Sequence, residues 1–71
     1  VGERIDFLVG TVGIECKVAG SKFEVLRQLQ RYAQFDEVEE IILVTTRARH
    51  LELDGQQVNG KTVNVYWVKW I

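Results

Sequence analysis

The sequence predicts an α/β domain, a mixed β-sheet in the order β-β-α-β-(turn)-β with a helix packed on it. Three observations carry that reading. Two short segments of alternating apolar and polar residues flank a glycine-bounded turn. A helical stripe with an N-terminal cap follows. After it comes a run dense in β-branched residues, as expected of a strand buried on both faces.

Taken in order, Arg4-Ile5-Asp6-Phe7-Leu8-Val9 reads as the first strand, Gly10-Thr11-Val12-Gly13 as turn material, and Ile14-Glu15-Cys16-Lys17-Val18 as the returning strand. Ser21 stands as an N-cap, with Glu24 placed to complete a capping box. The helix is expected over residues 22–34. Val25, Leu26, Leu29, Tyr32 and Ala33 form its apolar stripe, and Glu24, Arg27 and Arg31 fall on the opposite, solvated side. A buried strand over residues 38–45 centres on Ile41-Ile42-Leu43-Val44, and its position after a helix implies a crossover to a parallel neighbour. Residues 47–53 read as a short helical turn. Asp54-Gly55 and Asn59-Gly60 read as turns, and residues 62–70 as the last strand.

Size and composition bound the function. The 71 residues make one domain, 1–71, with no proline, repeat or linker, and 46% of them are apolar. A chain this short buries only ~60% of its unfolded surface, so a homodimer or higher homo-oligomer is expected. No segment resembles a signal peptide or reaches the ~20 apolar residues that span a bilayer, so no membrane partner is expected. The single cysteine, Cys16, allows neither an internal disulfide nor a zinc site of its own. The expected setting is a reducing cytoplasm, that of a bacterial or virus-infected cell. A net charge of −1 argues against indiscriminate nucleic-acid binding, so any such role must rest on local placement of Arg and Lys.

The hairpin divides into two faces, because side chains alternate along a strand. Ile5, Phe7, Val9, Ile14, Cys16 and Val18 fall on one, which is expected to pack on the helix stripe. Arg4, Asp6, Glu15 and Lys17 fall on the other, with Leu8 as the apolar exception. A two-residue loop at Gly10-Thr11 puts Asp6 opposite Glu15. A loop at Thr11-Val12, or one of four residues from Gly10 to Gly13, puts it opposite Lys17, and a three-residue loop breaks the cluster by setting Asp6 across from Cys16. Opposed carboxylates ~5 Å apart repel unless a cation lies between them, and a hard divalent ion with oxygen ligands suits such a pair. A solvated face carrying Asp, Glu and Lys is also ordinary hairpin surface.

Asp6 followed by Glu15-Cys16-Lys17 resembles the D…(D/E)-x-K signature of the PD-(D/E)XK nuclease superfamily, which includes restriction endonucleases, Holliday-junction resolvases and RecB-type exonucleases. Gly2-Glu3-Arg4-Ile5-Asp6 resembles the glycine-to-aspartate lead-in of the RecB-like branch, and Gln28-Leu29-Gln30-Arg31-Tyr32 its Q-x-x-x-Y helix motif. The likeness covers about the first 45 residues. It implies a restriction endonuclease-like core from which the family's N-terminal helix is missing. It also implies a nuclease hydrolysing phosphodiester bonds in DNA with Mg²⁺ or Mn²⁺. Asp6, Glu15 and the Cys16 backbone carbonyl would hold the metal. Lys17 would be the catalytic base or would position the attacking water, and Gln28 and Tyr32 would contact the active site or the nucleic-acid backbone.

Outside that likeness, Arg47 and Arg49, in Thr45-Thr46-Arg47-Ala48-Arg49-His50, are candidates for gripping phosphates, with Arg31 a further nucleic-acid contact. His50 reads as a surface residue more readily than as a base or ligand. Tyr66, Trp67 and Trp70 read as core or subunit interface before base-stacking platforms. Two readings stand beside the nuclease: a non-catalytic module of the same fold that binds nucleic acid or serves as an assembly subunit, and a small structural domain. The residues leave RNA open beside DNA.

Overall fold

The structure is a computed structural model that describes residues 5–69. Its strands are β1 (Phe7–Val9), β2 (Val12–Lys17), β3 (Glu40–Thr45), β4 (Gln57–Val58) and β5 (Lys61–Trp67). Helix α1 (Lys22–Tyr32) joins β2 to β3, and a 3₁₀ helix spans Ala48–Leu53. The five strands form one mixed sheet in the order β1-β2-β3-β5-β4. β2, β3 and β5 run parallel, and antiparallel hairpins close both edges. This is the expected α/β class.

The first hairpin pairs Val9 with Val12, so its loop is the two residues Gly10-Thr11. Only the first of them has a positive φ, +60° at Gly10, which a glycine adopts without steric cost and which suits a tight hairpin turn. At the other edge Asn59 and Gly60 both take positive φ, 51° and 81°, the pattern of a type I′ turn. That turn creates β4, a two-residue strand absent from the sequence reading because so short a segment carries no periodicity.

α1 begins where the cap predicts. Ser21 Oγ accepts from the Glu24 N–H at 3.1 Å, and the Glu24 carboxylate accepts from the Ser21 N–H at 2.9 Å. Those bonds hold the Glu24 carboxyl below its ordinary range. The helix ends at Tyr32, not at 34, because the N–H groups of Gln34 and Phe35 turn back to the Arg31 and Tyr32 carbonyls in three-residue bonds that tighten the last turn. β3 starts at Glu40, after Val38 has entered the core, and β5 stops at Trp67, short of the expected residue 70.

The core lies between α1 and one sheet face. Val25, Leu29, Tyr32 and Ala33 meet Ile41 and Leu43 of β3, Val63 and Val65 of β5, and Leu53 of the 3₁₀ helix. In register with these residues, β2 presents Gly13, Glu15 and Lys17. Over β1 and β2 the sequence-based face assignment is therefore inverted, whereas Ile5, ahead of β1, packs against the core as expected. The hairpin face carrying the charged residues lies toward the helix, and the apolar face of Phe7, Val9, Cys16 and Val18 is exposed, Phe7 at 57% and Val9 at 64%. Two things decide this. A single crossover helix covers one face only, and β3 is apolar on both faces and so does not select between them. Gly13 fits the covered face because it has no side chain: a Cβ there would lie 2.2 Å from Ile5 Cδ1 and 3.5 Å from Val38 Cγ1. No helix among the described residues is long and apolar enough to cross a membrane.

The cap is a discrete element of stability. Ser21→Ala removes its acceptor and is expected to cost about 1 kcal/mol, read as a lower urea midpoint with an unchanged m-value. A midpoint within error of the parent would show that α1 is held by packing alone.

Candidate active site

Three of the sequence-predicted residues come together where β1 leaves β2. The two-residue loop sets Asp6 level with Glu15, and each carboxylate accepts from a backbone N–H of the other strand. The Asp6 N–H donates to Glu15 Oε1 at 3.2 Å, and the Cys16 N–H donates to Asp6 Oδ2 at 2.9 Å. Lys17 Nζ stands 3.6 Å from Glu15 Oε2, its side chain a quarter exposed. The Asp6 carboxylate thus lies against the β2 backbone at Cys16. It sits at the strand edge, in the place where a continuing β1 would have paired with β2.

Glu15 is the electrostatically unusual member. It is 3% exposed, on the helix-facing side of the sheet beside Leu43. Burial pushes its carboxyl above the ordinary glutamate range. The Asp6 N–H bond pulls it down, the Asp6 charge pushes it up, and Lys17 pulls it down. A buried acid beside a second carboxylate is a site to which positive charge is attracted.

Two carboxylates are the side-chain ligands on offer. Among the described residues no three His, Cys, Asp or Glu side chains converge on a metal-sized space. The donors nevertheless fit Mg²⁺, which is commonly held by one or two carboxylates and completes its shell with water and substrate phosphate. The Cys16 carbonyl leaves β2 on the same side as the Cys16 N–H, toward Asp6, and can contribute a third oxygen. The thiol of Cys16 is exposed.

A cleft of about 380 Å³ lies between the end of β2 and α1, lined by Lys17, Gly20, Glu24, Arg27, Gln28 and Arg31, with Ala19 and Val25. Gln28 and Arg31, both candidates in the sequence, thus line this cleft. Arg27, placed only on the solvated helix side, was missed as a site residue, and its one-turn spacing from Arg31 was the available signal. Tyr32 does not reach the cleft. It is fully buried in the core, and its hydroxyl accepts from Gln28 Nε2 at 2.8 Å, so it bears on the cleft through Gln28.

The loop beside the cleft is braced from the segment that follows β3. Arg47 Nε donates to the Val18 carbonyl at 2.8 Å, and Arg49 Nε to the Gly20 carbonyl at 3.1 Å. Both arginines therefore have an architectural task besides any contact with phosphate. His50 is not the expected surface residue but is fully buried. Its Nε2 lies 2.8 Å from the Gly20 carbonyl and its Nδ1 2.6 Å from Thr45 Oγ1, which in turn accepts from the Arg47 N–H. A carbonyl only accepts, so Nε2 carries the hydrogen and Nδ1 accepts from the threonine. The sequence-based reading sought metal partners for this histidine, whereas its partners are a hydroxyl and a carbonyl. The lead-in residues Gly2, Glu3 and Arg4, and Trp70, lie outside the described residues.

No protein-family model, characterised protein or solved structure matches the chain.

The burial of Glu15 has a measurable cost. A carboxyl raised in the folded state favours folding fully below its unfolded value near 4.5, and that contribution is lost as pH rises through the folded value. Glu15→Gln, which cannot ionise, should therefore melt higher than the parent at neutral pH, with the gap narrowing as pH falls toward 4.5. Calorimetric scans across that range test it, and a gap that widens on acidification would refute the assignment.

Proposed function

We propose that the chain is a divalent-metal-dependent nuclease of the PD-(D/E)XK type, acting on DNA. The observation that carries this reading is the meeting of Asp6, Glu15 and Lys17 at the end of one hairpin, beside a cleft whose rim supplies Lys17, Arg27, Gln28 and Arg31. Supporting it is the element order from hairpin through helix to parallel strand, which the family's core shares.

Asp6, Glu15 and the Cys16 carbonyl would hold Mg²⁺ or Mn²⁺, which when bound polarises a phosphate and acidifies a water. The chain's own groups bind and orient. Arg27 and Arg31 neutralise the phosphates of the strand that enters the cleft. Lys17, directed by Glu15, donates to the attacking water or to the oxygen on which charge grows. Gln28, bonded to the Tyr32 hydroxyl, lines the cleft where the nucleic-acid backbone would pass. In the hydrolysis the water oxygen bonds to phosphorus as the P–O3′ bond breaks. The 3′ oxygen leaves as a hydroxyl with a proton, and the 5′-phosphate product follows from the family resemblance.

The same reading includes a homodimer or larger assembly. Phe7, Val9, Val18 and Tyr66 are each more than half exposed, and the chain's small core leaves this side of the sheet without cover. Phe7→Glu is expected to shift sedimentation toward the monomer, and an unchanged coefficient would place the contact elsewhere.

Cleavage of single-stranded, duplex and four-way-junction DNA in Mg²⁺, Mn²⁺ or EDTA is the direct test. Glu15→Ala and Lys17→Ala should each lower kcat by about 10²–10³, while Arg27→Ala and Arg31→Ala should chiefly raise KM. Tb³⁺ luminescence, lost in Asp6→Asn with Glu15→Gln, reads the cation site without turnover. Binding without cleavage in every metal would identify the non-catalytic module instead.

A further inference from the structure

A second cleft, of about 730 Å³, opens at the C-terminal ends of the parallel strands. It is lined by Val18, Ala19, Thr46, Arg47, Trp67 and Lys69. Ala19 lines both this cleft and the one beside Lys17, so the two adjoin across the loop between β2 and α1. The lining combines one large exposed aromatic with two cations. Trp67 is 46% exposed, and its indole is anchored by a bond from Nε1 to the Thr46 carbonyl at 3.4 Å. Arg47 is held beside it by the Val18 carbonyl, and Lys69 is exposed.

We infer that this cleft is a nucleotide subsite for single-stranded nucleic acid, with a base stacked on Trp67 and its phosphate held by Arg47 and Lys69. An exposed indole offers a flat apolar face that accepts any base, and base–aromatic stacking contributes ~1–3 kcal/mol per base. The two charged side chains that line this cleft with the indole, Arg47 and Lys69, are both cationic. A neutral apolar partner would leave both charges without a complement, whereas a nucleotide carries an apolar ring and an anion together.

Placement extends the argument. Lys17, Thr45 and Trp67 are in register across three adjacent parallel strands, so Lys17 and Trp67 stand two strand spacings apart, ~10 Å. That separation is within reach of one or two nucleotides of an extended strand. A strand entering beside Arg27 and Arg31 can therefore pass the Val18-Ala19-Gly20 loop and seat a flanking base on Trp67. Acidic residues are concentrated elsewhere. Asp36, Glu37 and Glu39 lie between α1 and β3 and Glu40 opens β3, so four of the ten stand at the far end of the sheet. The inference rests on the nucleic-acid reading of the first cleft but not on catalysis there.

The test is intrinsic fluorescence. In a Trp70→Phe chain Trp67 is the only indole, and a short oligothymidylate is titrated in EDTA, where a metal-dependent site cannot turn over. Saturable quenching is expected. Trp67→Ala should weaken binding, followed by anisotropy of a labelled oligonucleotide, about tenfold, with Trp67→Phe retaining most of the affinity. Lys69→Glu, at an exposed position, keeps the test informative if the Trp67 variants fold poorly, and should weaken binding several-fold and flatten the salt dependence. Oligothymidylate that binds with no change in Trp67 emission, or a Lys69→Glu chain that binds as tightly as the parent, would overturn the subsite. Quenching retained in a chain that cleaves nothing would sink the nuclease reading and leave this one standing, and cleavage without quenching would do the reverse.

Discussion

Glu15 is confined beneath α1, and the rest of the site is arranged around that confinement. A carboxylate taken this far out of water must be compensated, and two groups compensate it: the Asp6 N–H and the Lys17 ammonium. The same bonds set the geometry of the hairpin end. The Glu15 carboxylate holds the backbone of Asp6, and the Asp6 carboxylate holds the backbone of Cys16, so the two acids keep each other in place despite their like charge. A core designed only for stability would put a leucine here, as β3 does at the neighbouring register position.

The second feature is the distribution of charge. A net charge of −1 suggests a surface with no preference for polyanions. The fold gathers cations at two clefts, with Glu24 the acid among them on the first. Lys17, Arg27 and Arg31 line one cleft, Arg47 and Lys69 line its neighbour, and the acidic stretch before β3 lies a strand length away. Local field, not total charge, governs where a phosphate backbone comes to rest. The loop between the clefts is correspondingly firm, since backbone carbonyls of Val18 and Gly20 are held by Arg47, Arg49 and the buried His50. That bracing connects the segment after β3 to the entrance of α1.

Much of this was legible in the residues themselves, because it depends on neighbours in the chain. The Ser21–Glu24 cap, the α1 stripe, the β-branched run of β3 and the Asn59-Gly60 turn are local chemistry, and each appears where the pattern put it. The Gly10-Thr11 loop was among the registers the sequence allowed, and it is the one that sets Asp6 level with Glu15. What exceeded the sequence were facts about faces and distances. Alternation separates a strand's two sides but does not say which of them a crossover helix will cover. Ile42 and Val44 on one side of β3 are as apolar as Ile41 and Leu43 on the other.

Tertiary packing therefore decided that Glu15 is buried while Phe7 and Val9 are exposed. It decided that His50 is a core residue with a hydroxyl and a carbonyl for partners, and that Arg27 belongs to the rim of a cleft. The sequence by itself determined the order of the principal elements, the turns and the cap. Those follow from bonds and periodicities a few residues long, whereas burial and cleft formation follow from which surfaces meet across the sheet, and no stretch of chain carries that information alone.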